Sequence, residues 1–203
     1  IDDIVDVIKE EADKDYQLAA GITQDVEADD TIWQLTRARL PWLFLGLIGG
    51  VGAARIMGFF DEAIAENAIL FMFTPLIAAM AGNVGVQSSA IVVQGLANDL
   101  IKGSVFRRLF KEVSLTILNG IILSLLIIGF GQSVNQPIEM SLTISASMIC
   151  VIVVAALIGT AVPIILNKLD IDPAIATGPF ITTGNDVIGI LLFFYLAKII
   201  LGF

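Results

Sequence analysis

Apolar residues run in five stretches, approximately Leu40 to Phe60, Ala68 to Ala97, Val113 to Phe130, Leu142 to Leu166 and Ala176 to Phe203, with short polar connections between them. Crossing about 30 Å of hydrocarbon takes roughly 20 apolar residues at about 1.5 Å rise each, so each stretch predicts a membrane-spanning helix. Helices are favoured because hydrocarbon offers no water to satisfy open backbone groups. Pro137 and Pro173 fall between the last three stretches, where helices should end. The first 30 positions follow another pattern. Ile1, Ile4, Val5, Ile8 and Ala12 recur at three-to-four spacing while Asp2, Asp3, Asp6 and Asp13 fall mostly off that stripe, which predicts an amphipathic helix ended by Gly21. The expected architecture is an all-α polytopic membrane protein: an acidic cytoplasmic helix and linker over residues 1–36, then a five-helix transmembrane domain over 37–203.

Composition sharpens this picture. Of 203 residues, 57% are hydrophobic and 15% charged, and the mean hydropathy is +0.90, outside the range of ordinary soluble domains. One cysteine excludes a disulfide-stapled fold, the lack of histidine excludes a His-ligated metal site, and a net charge of -9 argues against nucleic-acid binding. Eleven acids against Lys9 and Lys14 place all of that negative charge in residues 1–30, and the remainder balances nine acids with nine bases. The chain starts at Ile1 with no signal-peptide pattern and reads as a fragment. Arg37 and Arg39 precede span one, Lys102, Arg107, Arg108 and Lys111 lie between two and three, and Lys168 lies between four and five; the other two connections lack Lys and Arg. Basic residues stay inside, so the expected localisation is a multi-pass cell membrane protein with the N-terminus cytoplasmic and the C-terminus extracytoplasmic.

Polar residues within the spans carry the candidate chemistry. Span two contains Pro75, then Gly82, Asn83, Gly85, Gln87, Ser88 and Ser89. Such a run is costly in lipid unless it joins helices or lines a cavity. Helix-to-helix glue accounts for Gln87, Ser88 and Ser89, whereas Asn83, between glycines, is the candidate for a pathway; Asn83 and Gln87 share one face. In span five Asp186 is the only acid, and an aspartate near the bilayer centre costs about 2.5–3.5 kcal/mol on insertion scales. Its default reading is functional, against an ion pair with Arg55 or, less readily, with Lys198. The approach, Gly178-Pro-Phe-Ile-Thr-Thr-Gly-Asn185, is a broken, hydroxyl-rich helix start that puts Thr182 one turn from Asp186. Carboxylate, amide, hydroxyl and carbonyl oxygens suit a hard cation, and Mg2+ can be held through its water shell. One carboxylate per chain is sparse for a divalent ion, so charge counting suggests a C2 homodimer that supplies two. The acidic head either concentrates divalent cations at the cytoplasmic mouth or is a solvated linker helix. Cys150 is expected to pack as a small apolar residue.

Pro75-Leu-Ile-Ala-Ala-Met-Ala-Gly-Asn-Val-Gly-Val-Gln87, then Asp172-Pro-Ala, then Pro179-Phe-Ile-Thr-Thr-Gly-Asn-Asp-Val-Ile-Gly189, resemble the transmembrane domain of the MgtE magnesium channel family, and the head resembles its plug helix. The resemblance implies a homodimer in the lipid bilayer whose ion pathway runs along the subunit interface, lined by spans two and five. Asp186 is similar to the family's pore aspartate and Asn83 to its pore asparagine. Ala79, Gly178 and Thr182 fall at pore-facing positions, Ala79 and Thr182 through backbone carbonyls. Mg2+ is thereby implied as the transported ion and as a regulatory ligand, with Asp2, Asp3 and Asp6 as candidate regulatory sites. Ala81 stands where a second glycine is common, and Val86 where a small polar residue is usual. The cytosolic N-domain and CBS domains of the family are expected in a full-length protein and lie outside this chain.

The implied function is a Mg2+ channel and not an enzyme. One competing account is a secondary transporter exchanging Mg2+ for Na+ or H+, against which the lack of evident inverted repeats counts. Another is an intramembrane aspartyl protease, which needs two carboxylates sharing a proton where each chain has one candidate.

Overall fold

In a computed structural model the protein is all-helical; the structure describes residues 2–23, 26–98 and 104–202, the side chains of Asp2, Asp3 and Ala63 lying outside that description. Seven α-helices follow in order: α1 (Asp2–Ala19), α2 (Ile32–Gly58), α3 (Asp61–Glu66), α4 (Ala68–Ala97), α5 (Val105–Ser133), α6 (Ile138–Lys168) and α7 (Gly178–Leu201), with a 3-10 turn at Pro173–Ala176. Five of the described helices are long and apolar enough to cross a membrane, namely α2, α4, α5, α6, and α7 together with the 3-10 turn.

The hydrophobic pattern places all five spans, and α4 has the expected bounds. The other ends move for local reasons. Thr31 and Gln34 form a capping box, so α2 starts at Ile32 and takes in positions 32–36, which the sequence assigned to a linker. Ser104 precedes α5, which therefore includes the basic turn Arg107–Lys111 ahead of the apolar run. The short α3 fills the connection after α2, where five polar or small residues around Ile64 carry too weak a pattern to be read as an element. Pro41, Pro75 and Pro163 lie inside α2, α4 and α6 without ending them, since within a packed membrane bundle neighbouring helices compensate for the missing N–H. Pro137 caps the start of α6, and Pro173 opens the 3-10 turn, at the stops expected of them.

α6 is the spine of the bundle. It packs against both α4 and α5, while α7 packs against α4, α6 and α2. The core comprises Leu70 and Ile77 of α4, Ile144 and Met148 of α6, and Phe193 and Phe194 of α7, all at 1% exposure or less. Phe194 stacks on Phe60 with ring centroids 5.5 Å apart and meets Phe193 edge-on at 5.2 Å, which fastens one end of α7. Outward faces carry large apolar residues such as Leu47 and Val51 of α2 and Leu125 and Leu126 of α5, as a helix against acyl chains requires. Cys150 also lies on such an exposed face of α6 and is not a packing residue of the interior.

Candidate cation pathway

Two glycines on α4 let side chains of α7 pack directly on its backbone. A Cβ added at Gly82 would stand 3.0 Å from Thr182 Cγ2 and 3.3 Å from Asp186 Oδ1. One turn further along α4, a Cβ at Gly85 would overlap the Asn185 amide nitrogen and stand 2.8 Å from Ile181 Cγ2. The backbone of α6 closes the other side, for a Cβ on Gly159 would overlap the Gly85 carbonyl oxygen. Small residues at helix crossings give this dense packing in membranes. The result fixes Asp186 and Thr182 of α7 beside Gly82, whose next residue in α4 is Asn83.

Asp186 is half-buried, as is Thr182, while Asn83 and Ala79 are exposed on the protomer surface. Asp186 sits eight residues into a 24-residue helix, about 12 Å from its start at about 1.5 Å per residue. Among the described residues the only salt bridge joins Lys14 to Glu11; Arg55 and Lys198 are exposed, so the alternative of an ion pair for Asp186 is not what the structure contains. Thr182 donates its hydroxyl to the Gly178 carbonyl at 3.0 Å, which ties together two of the expected positions. Among the described residues no three carboxylates or thiols converge on one point. Asp186 is thus a lone carboxylate that shares the surface of Gly82 with Thr182, and a carboxylate beside a hydroxyl offers the oxygen chemistry that a hydrated hard ion takes.

The two serines after Gln87 behave as glue, and Gln87 does not. Ser88 donates to the Glu112 carboxylate of α5 at 2.5 Å, and Ser89 donates to the Ala176 carbonyl in the 3-10 turn. Gln87 lies on the exposed face with Asn83 and makes no side-chain hydrogen bond among the described residues. Ala81, one of the two departures from the family pattern, is fully buried against Gly189; it bears on packing and not on the pathway. Asn185 is the residue that sequence reasoning missed. It is 1% exposed with both amide atoms unpartnered, and its presence in an otherwise apolar crossing was the available signal.

At the start of α7 the head meets the bundle. Gly178 has φ +51, and a Cβ there would overlap the Ala19 carbonyl oxygen at the end of α1. Gly21, at φ +80, faces the Pro179 ring, and Thr23 bonds the Ala38 carbonyl of α2 through both its amide (3.0 Å) and its hydroxyl (2.9 Å). Both glycines adopt the left-handed region that side chains disfavour. Asp15 is held above its ordinary value of 3.8, first by burial and then by the charges of Asp172 and Glu11. Asp6 is exposed beside Glu10, Asp13 and Lys9 in an open groove of about 590 Å³. Asp2 and Asp3 lie in α1, and their side chains fall outside the described residues.

Known proteins resemble this chain over nearly all of its length. The family model MgtE, described as a divalent cation transporter, matches residues 74–196, from the residue before Pro75 to the last third of α7. The magnesium transporter MgtE of Bacillus subtilis is 35% identical over 198 residues, covering 97% of this chain and 44% of that protein. The Enterococcus faecalis protein of the same name is 37% identical, covering 98% of this chain and 44% of its own length. That of Thermus thermophilus is 28% identical, with 99% and 45% covered. The chain spans less than half the length of these relatives. The matched segment takes in most of α4 and α7 together with all of α5 and α6, and the chain belongs to the MgtE family of divalent cation transporters.

Proposed function

We propose that the chain forms the membrane pore of a Mg2+ channel, a homodimer in which the exposed edges of α4 and α7 from two copies enclose the ion path. The observation that carries this reading is the packing of Asp186 and Thr182 against Gly82, next to exposed Asn83 and Ala79. A carboxylate and an amide on the outer surface of a bundle this apolar are costly against lipid; facing their own copies across a two-fold axis, they border water instead. Two Asp186 carboxylates then balance the +2 charge, and the oxygens of Asn83, Ala79, Thr182 and Gly178 accept hydrogen bonds from the ion's water shell. The name shared by the relatives, magnesium transporter, supports Mg2+ as the cargo.

In this reading α1 is cytoplasmic, the C-terminus lies on the opposite side, and the acids of α1 bind regulatory Mg2+, with Asp6 among them. The longer relatives motivate the proposal that cytosolic N and CBS domains act on α1 in the full-length protein. Asp186→Asn in proteoliposomes is expected to lower Mg2+ flux about tenfold or more, a loss of at least ~1.4 kcal/mol, with the folded dimer retained on gel filtration. Unchanged flux overturns the assignment. Flux that persists without any Na+ or pH gradient separates this channel from an exchanger, and strict dependence on such a gradient favours the exchanger.

A further inference from the structure

We infer that the ion path continues past Asn83 along α4 as a ladder of neutral amides, with Gln87 and Gln94 as further pathway residues on the cytoplasmic side of Asp186. This rests on the channel reading above. At 100° per residue, Met72, Leu76, Ala79, Asn83, Gln87, Ala90 and Gln94 fall within about 40° of one line along α4, and all seven are exposed. The chemistry of that line changes at Asn83. On the N-terminal side it is apolar, Met72 being 74% and Leu76 38% exposed. Beyond Asn83 its large side chains are carboxamides. On the opposite face of this half of α4 the side chains are committed elsewhere, Ser88 to Glu112, Ser89 to Ala176 and Val92 to the interior at 1% exposure, while Ile91, 53% exposed, flanks the line as its apolar border. Gln87 and Gln94 make no side-chain hydrogen bond among the described residues.

Their spacing from Asn83 is about 6 Å and about 17 Å along the helix axis, one turn and three turns at 1.5 Å per residue. An amide oxygen accepts from metal-bound water as a carboxylate does but carries no charge. A row of such groups guides a hydrated divalent cation without retaining it, and conduction requires sites weak enough to leave. The charged site at Asp186 then selects and the ladder releases.

Cysteine scanning of the full chain tests this cleanly, because Cys150 is the only native cysteine and lies on an exposed face of α6. In a Cys150→Ala background reconstituted in vesicles, Gln87→Cys and Gln94→Cys are expected to react with a charged, membrane-impermeant thiol reagent about tenfold or more faster than lipid-facing Leu125→Cys, with loss of Mg2+ flux, since charged reagents enter only water-filled paths. Gln87→Leu is expected to cut flux about tenfold while the Mg2+ concentration at half-saturation changes less than about twofold, and Gln87→Asn to restore most of it. If Asn83→Cys reacts but Gln87→Cys and Gln94→Cys react no faster than Leu125→Cys, the ladder is wrong and the channel reading stands. If Asn83→Cys is unreactive as well, the channel reading falls with it. Unchanged flux in Gln87→Leu also overturns the ladder.

Discussion

At Gly85 one hydrogen atom occupies the space between three helices, with the Asn185 amide on one side and Gly159 on the other. Gly85→Ala must push α7 away, because the added methyl meets Asn185 and Ile181, and overpacking of this kind costs about 1–3 kcal/mol. The expected outcome is a lower unfolding temperature in detergent, whereas Gly50→Ala, with open space around it, leaves unfolding nearly unchanged. As candidates, Asp186 and Asn83 are conspicuous in the sequence because a lone polar group stands out in an apolar run. Gln87 was harder: beside Ser88 and Ser89 it looks like more glue. The rotation of α4 separates them, sending both serines to neighbouring helices and Gln87 outward. Asn185 stayed hidden behind Asp186, since adjacency in the chain does not reveal that the two side chains meet different glycines of α4.

At the scale of elements, the helices were legible because hydropathy reports them directly, and their ends were less so because caps and short turns decide those. The docking of α1 was not legible at all; it depends on the left-handed backbone at Gly178 and Gly21, which no periodicity encodes. Charge works against that docking. The Asp15 carboxyl is raised above 3.8 by burial and by Asp172 and Glu11, so its contribution favours the docked form below its ordinary value and is lost as pH rises through the raised one. Asp15→Asn is therefore expected to protect the amides of residues 16–23 from hydrogen exchange at pH 7, and the difference from the parent protein should vanish in acid. Equal protection at both pH values contradicts this electrostatic account.

For the whole molecule, the two-fold axis proposed for the pore runs beside α4, and its apolar half then meets its copy. Leu76→Cys in a Cys150→Ala background is expected to give a disulfide-linked dimer on mild oxidation, which requires Cα atoms within about 7 Å, while Leu125→Cys on α5 stays monomeric on a denaturing gel. The reverse pattern places the interface elsewhere. One last feature bears on how such an assembly is driven. α2 packs chiefly along α7, and the loop after α1 is bonded to α2 at Ala38 and seated on Pro179. Head and first span thus both grip the rod that carries Asp186, so under the cytoplasmic placement proposed above a tug on the head is expected to load that rod first.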